Sequence, residues 1–196
     1  SLGYDRALLV VCDGMGGARA GNVASELAVK AFSDHIRASH KGVSGAERLF
    51  SLLREALARA NRAVYEKAQS SEDYAGMGTT LVAALIVKNT AYLINVGDSR
   101  AYHFSLSGVQ QITQDHSLVQ MMVLRGELTP EQAKNFPGKN LITRAVGTES
   151  EVEGDVFTQE LRKDECLLLC SDGLSNEMAD QEMLFEVAHG QRRSDC

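Results

Sequence analysis

The sequence predicts an α+β domain in which hairpin-paired strands form antiparallel layers beside separate blocks of helices. Two β-rich runs, residues 80–87 and 91–96, are separated by a short polar turn that is typical of a hairpin. A second pair, residues 100–104 and 109–113, flanks a Ser-Gly turn. Because hairpins pair strands antiparallel and helical periodicity lies before and after them, layered sheets are favoured over a doubly wound parallel sheet.

The composition is that of one soluble globular domain. The chain has 196 residues, of which 44% are hydrophobic and 23% are charged. Its net charge of −6 disfavours nucleic acid as a partner, since phosphate backbones are bound by excess Lys and Arg. No apolar run is long enough to cross a bilayer, so no membrane partner is predicted. The four cysteines form no C-x-x-C pair, which predicts reduced thiols in a cytoplasmic protein: Cys12, Cys166, Cys170 and Cys196.

Apolar periodicity predicts the other elements. An unbroken apolar run predicts a buried strand at residues 7–12, and a glycine-rich loop separates it from a helix predicted over residues 22–37. Ser44 and Glu47 have the spacing of a capping box, which predicts the start of a longer amphipathic helix. Further along we predict a helical excursion with a helix start at Pro130, two strands and a last helix: residues 117–135, 155–160, 166–170 and 180–188.

Three of the predicted strands end in the same chemical pattern. Asp13, Asp98 and Asp172 each follow an apolar run and lie beside a glycine, where a rigid strand meets solvent. Carboxylate and carbonyl oxygens are the ligands that hard cations such as Mg²⁺ and Mn²⁺ prefer. A single Asp-Gly pair after a strand is more often an ordinary turn. Three such aspartates, with Asp115 as a fourth, favour a cation site without naming its reaction.

The glycine-rich loop allows a different interpretation, a dinucleotide-binding turn. Gly14, Gly16 and Gly17 lie between a strand and a helix, as such turns require. However, the third small residue of that fingerprint falls on Arg19, and Asp13 would repel a pyrophosphate. No second strand ending in an acidic residue follows at the distance where the ribose contact is expected. We therefore predict no nucleotide cofactor.

Six short motifs follow one another along nearly the whole chain: residues 11–17 (VCDGMGG), 78–80 (GTT), 95–102 (NVGDSRAY), 113–116 (TQDH), 143–147 (TRAVG) and 170–174 (CSDGL). In this order they resemble the motifs of the PP2C-type, or PPM, metal-dependent serine/threonine protein phosphatases. The resemblance is particularly to the bacterial branch of that family. Six motifs in order are far more specific than any one of them alone.

The resemblance implies an αββα sandwich, in which two antiparallel sheets pack face to face between outer helices. It implies that Asp13 bridges two cations and that the backbone carbonyl of Gly14 binds one of them. Asp172 would bind the second cation and, together with Asp115, a third cation found in bacterial members. These ligand roles rest on the resemblance alone.

The resemblance also implies a mechanism. Two or three Mn²⁺ or Mg²⁺ ions, with Asp13 and Asp172 as catalytic carboxylates, would activate a water that attacks the phosphorus of phosphoserine or phosphothreonine. Asp98 would support the site by orienting its loop near Arg100, and a flap at residues 117–135 would influence substrate choice. The implied partners are phosphoproteins and a serine/threonine kinase that acts in opposition.

The chain departs from the family pattern in its proton donor and at both ends. Met15 takes a position where many members have a histidine proposed as general acid, so water must protonate the leaving group. His116 is a possible substitute, although a histidine beside a metal aspartate is more often structural. An upstream arginine strand with an Asn-Glu-Asp motif and a terminal Asp-Asn pair are not found. We therefore expect a single domain over residues 1–196, incomplete at both ends, and assign Asp195 no metal role.

Two further interpretations stay open. The missing terminal motifs favour a non-catalytic relative, a fragment or pseudophosphatase, that binds phosphoproteins or metals. The retained Asp13, Asp115 and Asp172 favour the enzyme. The related sporulation and stress-response phosphatase branch is the other interpretation, but residues 97–102 and 113–116 fit the general PP2C branch better.

Overall fold

The computed structural model describes residues 2, 5–134 and 136–194. The strands in this part of the chain are β1 Arg6–Val11, β2 Gly14–Met15, β3 Gly78–Thr79, β4 Leu81–Val87, β5 Thr90–Val96, β6 Arg100–Ser105, β7 Gly108–Gln111, β8 Asp155–Glu160 and β9 Cys166–Cys170. The helices are α1 Ala18–Ser39, α2 Ala46–Ala68, α3 Leu118–Leu124, α4 Pro130–Lys134, α5 Asp172–Ser175 and α6 Asp180–Ser194. A short 3-10 helix, Glu72–Tyr74, follows α2.

The strands form three antiparallel sheets within the described residues. A four-stranded sheet has the order β1-β4-β5-β8, a three-stranded sheet has the order β7-β6-β9, and β2 pairs with β3. Register between β4 and β5 places Ala83 opposite Ile94 and Ala84 opposite Leu93. Since successive strand residues point to opposite faces, both faces of the four-stranded sheet are apolar and each can be covered.

Three hydrophobic cores separate four layers, which confirms the predicted αββα sandwich. The first core lies between α1, α2 and the four-stranded sheet, and it includes Leu53 and Leu85. The second lies between the two larger sheets, around Leu93. The third joins the outer face of the three-stranded sheet to α6 through Tyr102 and Met183. The helices therefore form the outside layers and the sheets pack face to face.

The structure confirms both predicted hairpins and the last two strands. The helical excursion contains α3 and α4, and Asn135 lies outside the described residues, as do Asp195 and Cys196. Thr129 and Gln132 exchange hydrogen bonds of 2.8 and 3.2 Å at the start of α4, which satisfies two backbone N–H groups and confirms the helix start there. In the described part of the chain, no helix has the length and apolar character needed to cross a membrane.

The predicted start of α1 is wrong. The helix begins at Ala18, directly after Gly17, which has a φ of 85°. The prediction placed the start at residue 22 because glycines dominate the preceding segment. Gly21 belongs to the first turns of the helix for a packing reason, since a Cβ there would lie 2.6 Å from the carbonyl oxygen of Gly14.

The predicted capping box of α2 is also wrong. The helix begins at Ala46, and its N-cap residue is Gly45, with no capping hydrogen bond from a side chain. Ser44 and Glu47 thus have the spacing of the motif without forming it. The amphipathic stripe of this helix is nevertheless buried as predicted: Leu49, Leu52, Leu53, Ala56, Leu57, Ala60 and Val64.

Candidate active site

Four aspartates meet at one end of the sandwich, where strands of both larger sheets end. Asp13 comes two residues after the end of β1, Asp98 two residues after the end of β5, and Asp172 two residues after the end of β9. The carboxylates of Asp13 and Asp172 are close neighbours, near enough for Asp172 to act on the charge of Asp13. Asp98 lies near enough to Asp172 and Asp115 for their charges to act on it. We call these four side chains the carboxylate cluster.

The cluster concentrates negative charge in a partly buried place. Burial raises the pKa of Asp13, and the charge of Asp172 and a hydrogen bond to it raise that pKa further. A hydrogen bond with Ser171 acts in the opposite direction. Burial, followed by the charges of Asp172 and Asp115, raises the pKa of Asp98 to about 6. The raised pKa values of Asp13 and Asp98 indicate an electrostatic need that a divalent cation meets.

Asp115 differs from the other three because it already has a cationic partner. Nε and Nη2 of Arg100 donate to its carboxylate at distances from 2.7 to 3.1 Å, and the Gln111 amide donates at 2.9 Å. Burial disfavours the charged guanidinium, but the hydrogen bonds and charge of Asp115 outweigh it and raise the pKa of Arg100. Arg100 therefore fixes the orientation of Asp115 rather than of Asp98. A cation role for Asp115 remains a prediction.

Thr79 and Thr80 fix the backbone of Asp13. The N–H of Asp13 donates to the Thr80 hydroxyl at 2.9 Å, and the Thr79 hydroxyl donates to the Asp13 carbonyl at 2.9 Å. The N–H of Thr80 donates to the same carbonyl at 2.9 Å. The hydroxyls of Thr80 and Ser99 are 2.7 Å apart, so the turn that carries Asp98 is joined to Asp13 through buried hydrogen bonds.

Gly14 is where the Asp13 segment touches α1. A Cβ on Gly14 would overlap the carbonyl group of Gly21, so neither backbone leaves room for a side chain. The carbonyl oxygen of Gly14, expected from the resemblance to bind a cation, lies beside this first part of α1. Its role as a ligand remains a prediction.

A groove of about 850 Å³ opens beside the cluster, between the flap and the segment of α5 and α6. Val119, Val123 and Ala133 line it from the flap, and Met178 lines it from the other segment. Three members of the cluster also line it: Asp98, Asp115 and Asp172. Its volume falls within the range of ordinary ligand sites, and it combines apolar walls with convergent polar groups.

The cluster has the character of an open cation site. Over the described ranges, no three His, Cys, Asp or Glu side chains have the arrangement of a metal-binding group. Mg²⁺ in particular keeps several waters and is often held by only one or two carboxylates. The neighbouring pair Asp13 and Asp172 supplies that number of carboxylates, so the residues present fit a partly hydrated cation.

Comparison with known proteins identifies the family of the chain. A family model described as Protein phosphatase 2C matches residues 3–193. The chain belongs to this family. The serine/threonine phosphatase stp of Listeria welshimeri is 42% identical to this PP2C chain over 179 residues, which cover 91% of the chain and 71% of that relative. The predicted resemblance to the bacterial branch is thereby confirmed.

Solved structures agree with this assignment. The serine/threonine phosphatase Stp1 from Staphylococcus aureus aligns with the PP2C chain at a TM-score of 0.86 and 37% identity, over 97% of the chain and 77% of that structure. The catalytic domain of the phosphatase PstP, in complex with two manganese ions, aligns at a TM-score of 0.77 and 37% identity. That alignment covers 95% of the chain and 78% of the PstP structure.

Sequence reasoning missed the residues that hold the cluster in this PP2C chain. Thr79 and Thr80 were part of a motif, but their bonds to Asp13 join positions 66 and 67 apart in the chain. Gln111 donates to Asp115, and Asn176 donates to Asp172 at 3.2 Å. Polar residues at the ends of apolar strands were the available signal, but their partners could be known only from the fold.

Proposed function

We propose that this PP2C chain hydrolyses phosphoserine and phosphothreonine monoesters in proteins, in a reaction that depends on Mn²⁺ or Mg²⁺. The observation that carries the proposal is the proximity of the Asp13 carboxylate to Asp172, which lines the groove. The manganese ions of the PstP structure, whose catalytic domain aligns over most of the chain, support the choice of metal.

Each proposed site residue has a distinct task. Asp13 and Asp172 hold the cations and are the catalytic carboxylates, and the Gly14 carbonyl adds a backbone ligand. Asp115 takes part in a third cation site, with Arg100 fixing its orientation through their ion pair of 2.7 Å. Asp98 supports the cluster from the neighbouring turn. The cations, when bound, supply the positive charge that makes a water nucleophilic near neutral pH and offsets the charge of the phosphoryl group.

Proton transfer to the leaving alkoxide is left to water. Met15 has no proton to give, and its Cε lies against Gly78, 2.8 Å from where a Cβ on that glycine would be. A general acid has to be within hydrogen-bonding reach of the atom it protonates. The site therefore works with solvent entering through the groove beside the cluster.

The substrate is a phosphorylated protein segment that lies in the groove under the flap. Apolar flap residues and the acidic cluster line the same groove, so the side chains next to the phosphorylated residue contact residues 117–135. The whole span of residues 1–196 acts as one phosphatase domain in this proposal. A cytoplasmic serine/threonine kinase supplies the phosphorylated substrates.

Turnover of a phosphothreonine peptide with added Mn²⁺ tests the proposal. We expect Asp13→Ala and Asp172→Ala to reduce turnover roughly 100-fold or more, because each removes a cation ligand. Asp34→Ala is the matched control, since Asp34 is an exposed carboxylate on α1 that pairs with Lys30. Equal turnover in all three variants would contradict the proposal. Peptide binding without turnover in the unaltered chain would favour the non-catalytic alternative.

A further inference from the structure

His116 lies next to Asp115 but is bound to the turn that carries Asp98. Its side chain is 8% exposed. The N–H of Gly97 donates to Nδ1 of His116 at 3.1 Å, and the N–H of His116 donates to the Gly97 carbonyl at 2.9 Å. The imidazole and the backbone N–H of His116 therefore bond to both backbone polar groups of Gly97, its N–H and its carbonyl.

These bonds define which ring nitrogen carries the proton. Nδ1 accepts from a backbone N–H, so in the neutral ring the hydrogen is on Nε2. Nε2 then donates to Asp155 at 3.1 Å, and Nη1 of Arg144 donates to the other oxygen of Asp155 at 3.0 Å. Nη1 of Arg144 is also 3.2 Å from Nε2, but two donors cannot bond. Both nitrogens are occupied inside this network, so His116 is not the missing general acid.

The turn held by His116 is packed against the residue that holds Asp13. Gly97 has a φ of 99°, and a Cβ there would lie 2.7 Å from Cγ2 of Thr80. Thr80 in turn accepts from the N–H of Asp13 and bonds to Ser99. A displacement of Gly97 would therefore reach Asp98 directly and Asp13 through one intervening side chain.

We propose that His116 is a positioning residue: its imidazole accepts from Gly97, fixes the Gly97–Asp98 turn against Thr80, and so keeps Asp13, Asp98 and Asp115 in their relative positions. Its consequence for turnover rests on the proposed phosphatase function. Its consequence for the Gly97 backbone does not.

Two substitutions each retain only one of the two hydrogen bonds that the imidazole makes. Asparagine places Oδ1 as many bonds from the backbone as Nδ1, so His116→Asn can still accept from Gly97. Glutamine places its amide nitrogen as far out as Nε2, so His116→Gln can still donate to Asp155 but offers Gly97 no acceptor at Nδ1. His103→Gln is the matched control, because His103 pairs with Glu165 at 2.9 Å on the three-stranded sheet.

The readouts are hydrogen exchange of the Gly97 amide and turnover of p-nitrophenyl phosphate with Mn²⁺. We expect the Gly97 amide of His116→Gln to exchange about tenfold faster and its kcat to fall about tenfold, because one buried hydrogen bond is lost. Its KM should change less than about threefold. We expect the Gly97 exchange rate and the kcat of His116→Asn to stay within about threefold of those of the unaltered chain. We expect His103→Gln to change neither quantity.

Full exchange protection and turnover in His116→Gln would overturn the proposal. Equal losses of turnover in His116→Asn and His116→Gln would also overturn it, because a general loss of stability does not distinguish the two bonds. If the unaltered chain hydrolyses nothing, the proposed function fails. The exchange of the Gly97 amide then decides the positioning role by itself.

Discussion

The negative charges of Asp172 and Asp115 raise the pKa of Asp98, and the positive charge of Arg100 acts against them. Burial and these charges raise its pKa to about 6, whereas an unfolded aspartate has a pKa of about 3.9. The folded state therefore binds this proton more tightly. In cation-free buffer the contribution of Asp98 to stability is present below about pH 4 and is lost as the pH rises through about 6.

We expect Asp98→Asn to stabilise the cation-free protein near neutral pH. The amide removes a negative charge that is disfavoured by burial and by the charges of Asp172 and Asp115, so the free energy of unfolding should rise by about 1 kcal/mol at pH 7.5, after allowing for solvent screening. The difference should shrink towards about pH 4.5, where the unaltered carboxyl is protonated in the folded state. Urea unfolding in chelator at the two pH values measures it.

Asp34→Asn is the control for this experiment. Asp34 is exposed, and a hydrogen bond and the charge of Lys30 lower its pKa, so its removal should not stabilise the protein at neutral pH. A variant Asp98→Asn that is less stable than the unaltered protein in chelator, at both pH values, would contradict the electrostatic description of the cluster.

At the scale of elements, the last two strands and the starts of α4 and α6 were predicted, whereas the start of α1 was not. Strands β8 and β9 have the bounds that the sequence indicated, although only β9 is an apolar run and β8 is partly exposed. The start of α1 was missed because its first turns contain Gly21, whose place is decided by the approach of Gly14. A contact between two backbones leaves no periodicity in the sequence.

We expect Gly21→Ala to displace β2 from α1 and to lower both stability and activity. The new Cβ would lie 2.6 Å from the Gly14 carbonyl oxygen, and an overpacked contact of this kind costs about 1–3 kcal/mol. Gly190→Ala is the matched control, because Gly190 is also helical and a Cβ there meets nothing within 4 Å. Thermal unfolding and phosphatase assays compare the two. A Gly21→Ala protein at least as stable as Gly190→Ala would contradict the packing argument.

At the scale of the whole molecule, the four layers bring together residues that lie far apart in the chain. The sequence indicated Asp13, Asp98, Asp115 and Asp172 separately, and the family motifs implied their grouping. It could not indicate that Arg100 would pair with Asp115, since that partnership depends on how β6 and the segment after β7 meet in space. The supporting hydrogen bonds were unpredictable for the same reason.

Calorimetric titration of Mn²⁺ into the protein tests the central claim most directly, because it requires no substrate. We expect the unaltered chain and Asp34→Asn to bind Mn²⁺ alike, and Asp13→Asn to bind it roughly 10- to 100-fold more weakly. Such a result would establish that the carboxylate cluster is the cation site of the protein. Binding of Mn²⁺ by Asp13→Asn with unaltered affinity would contradict the account.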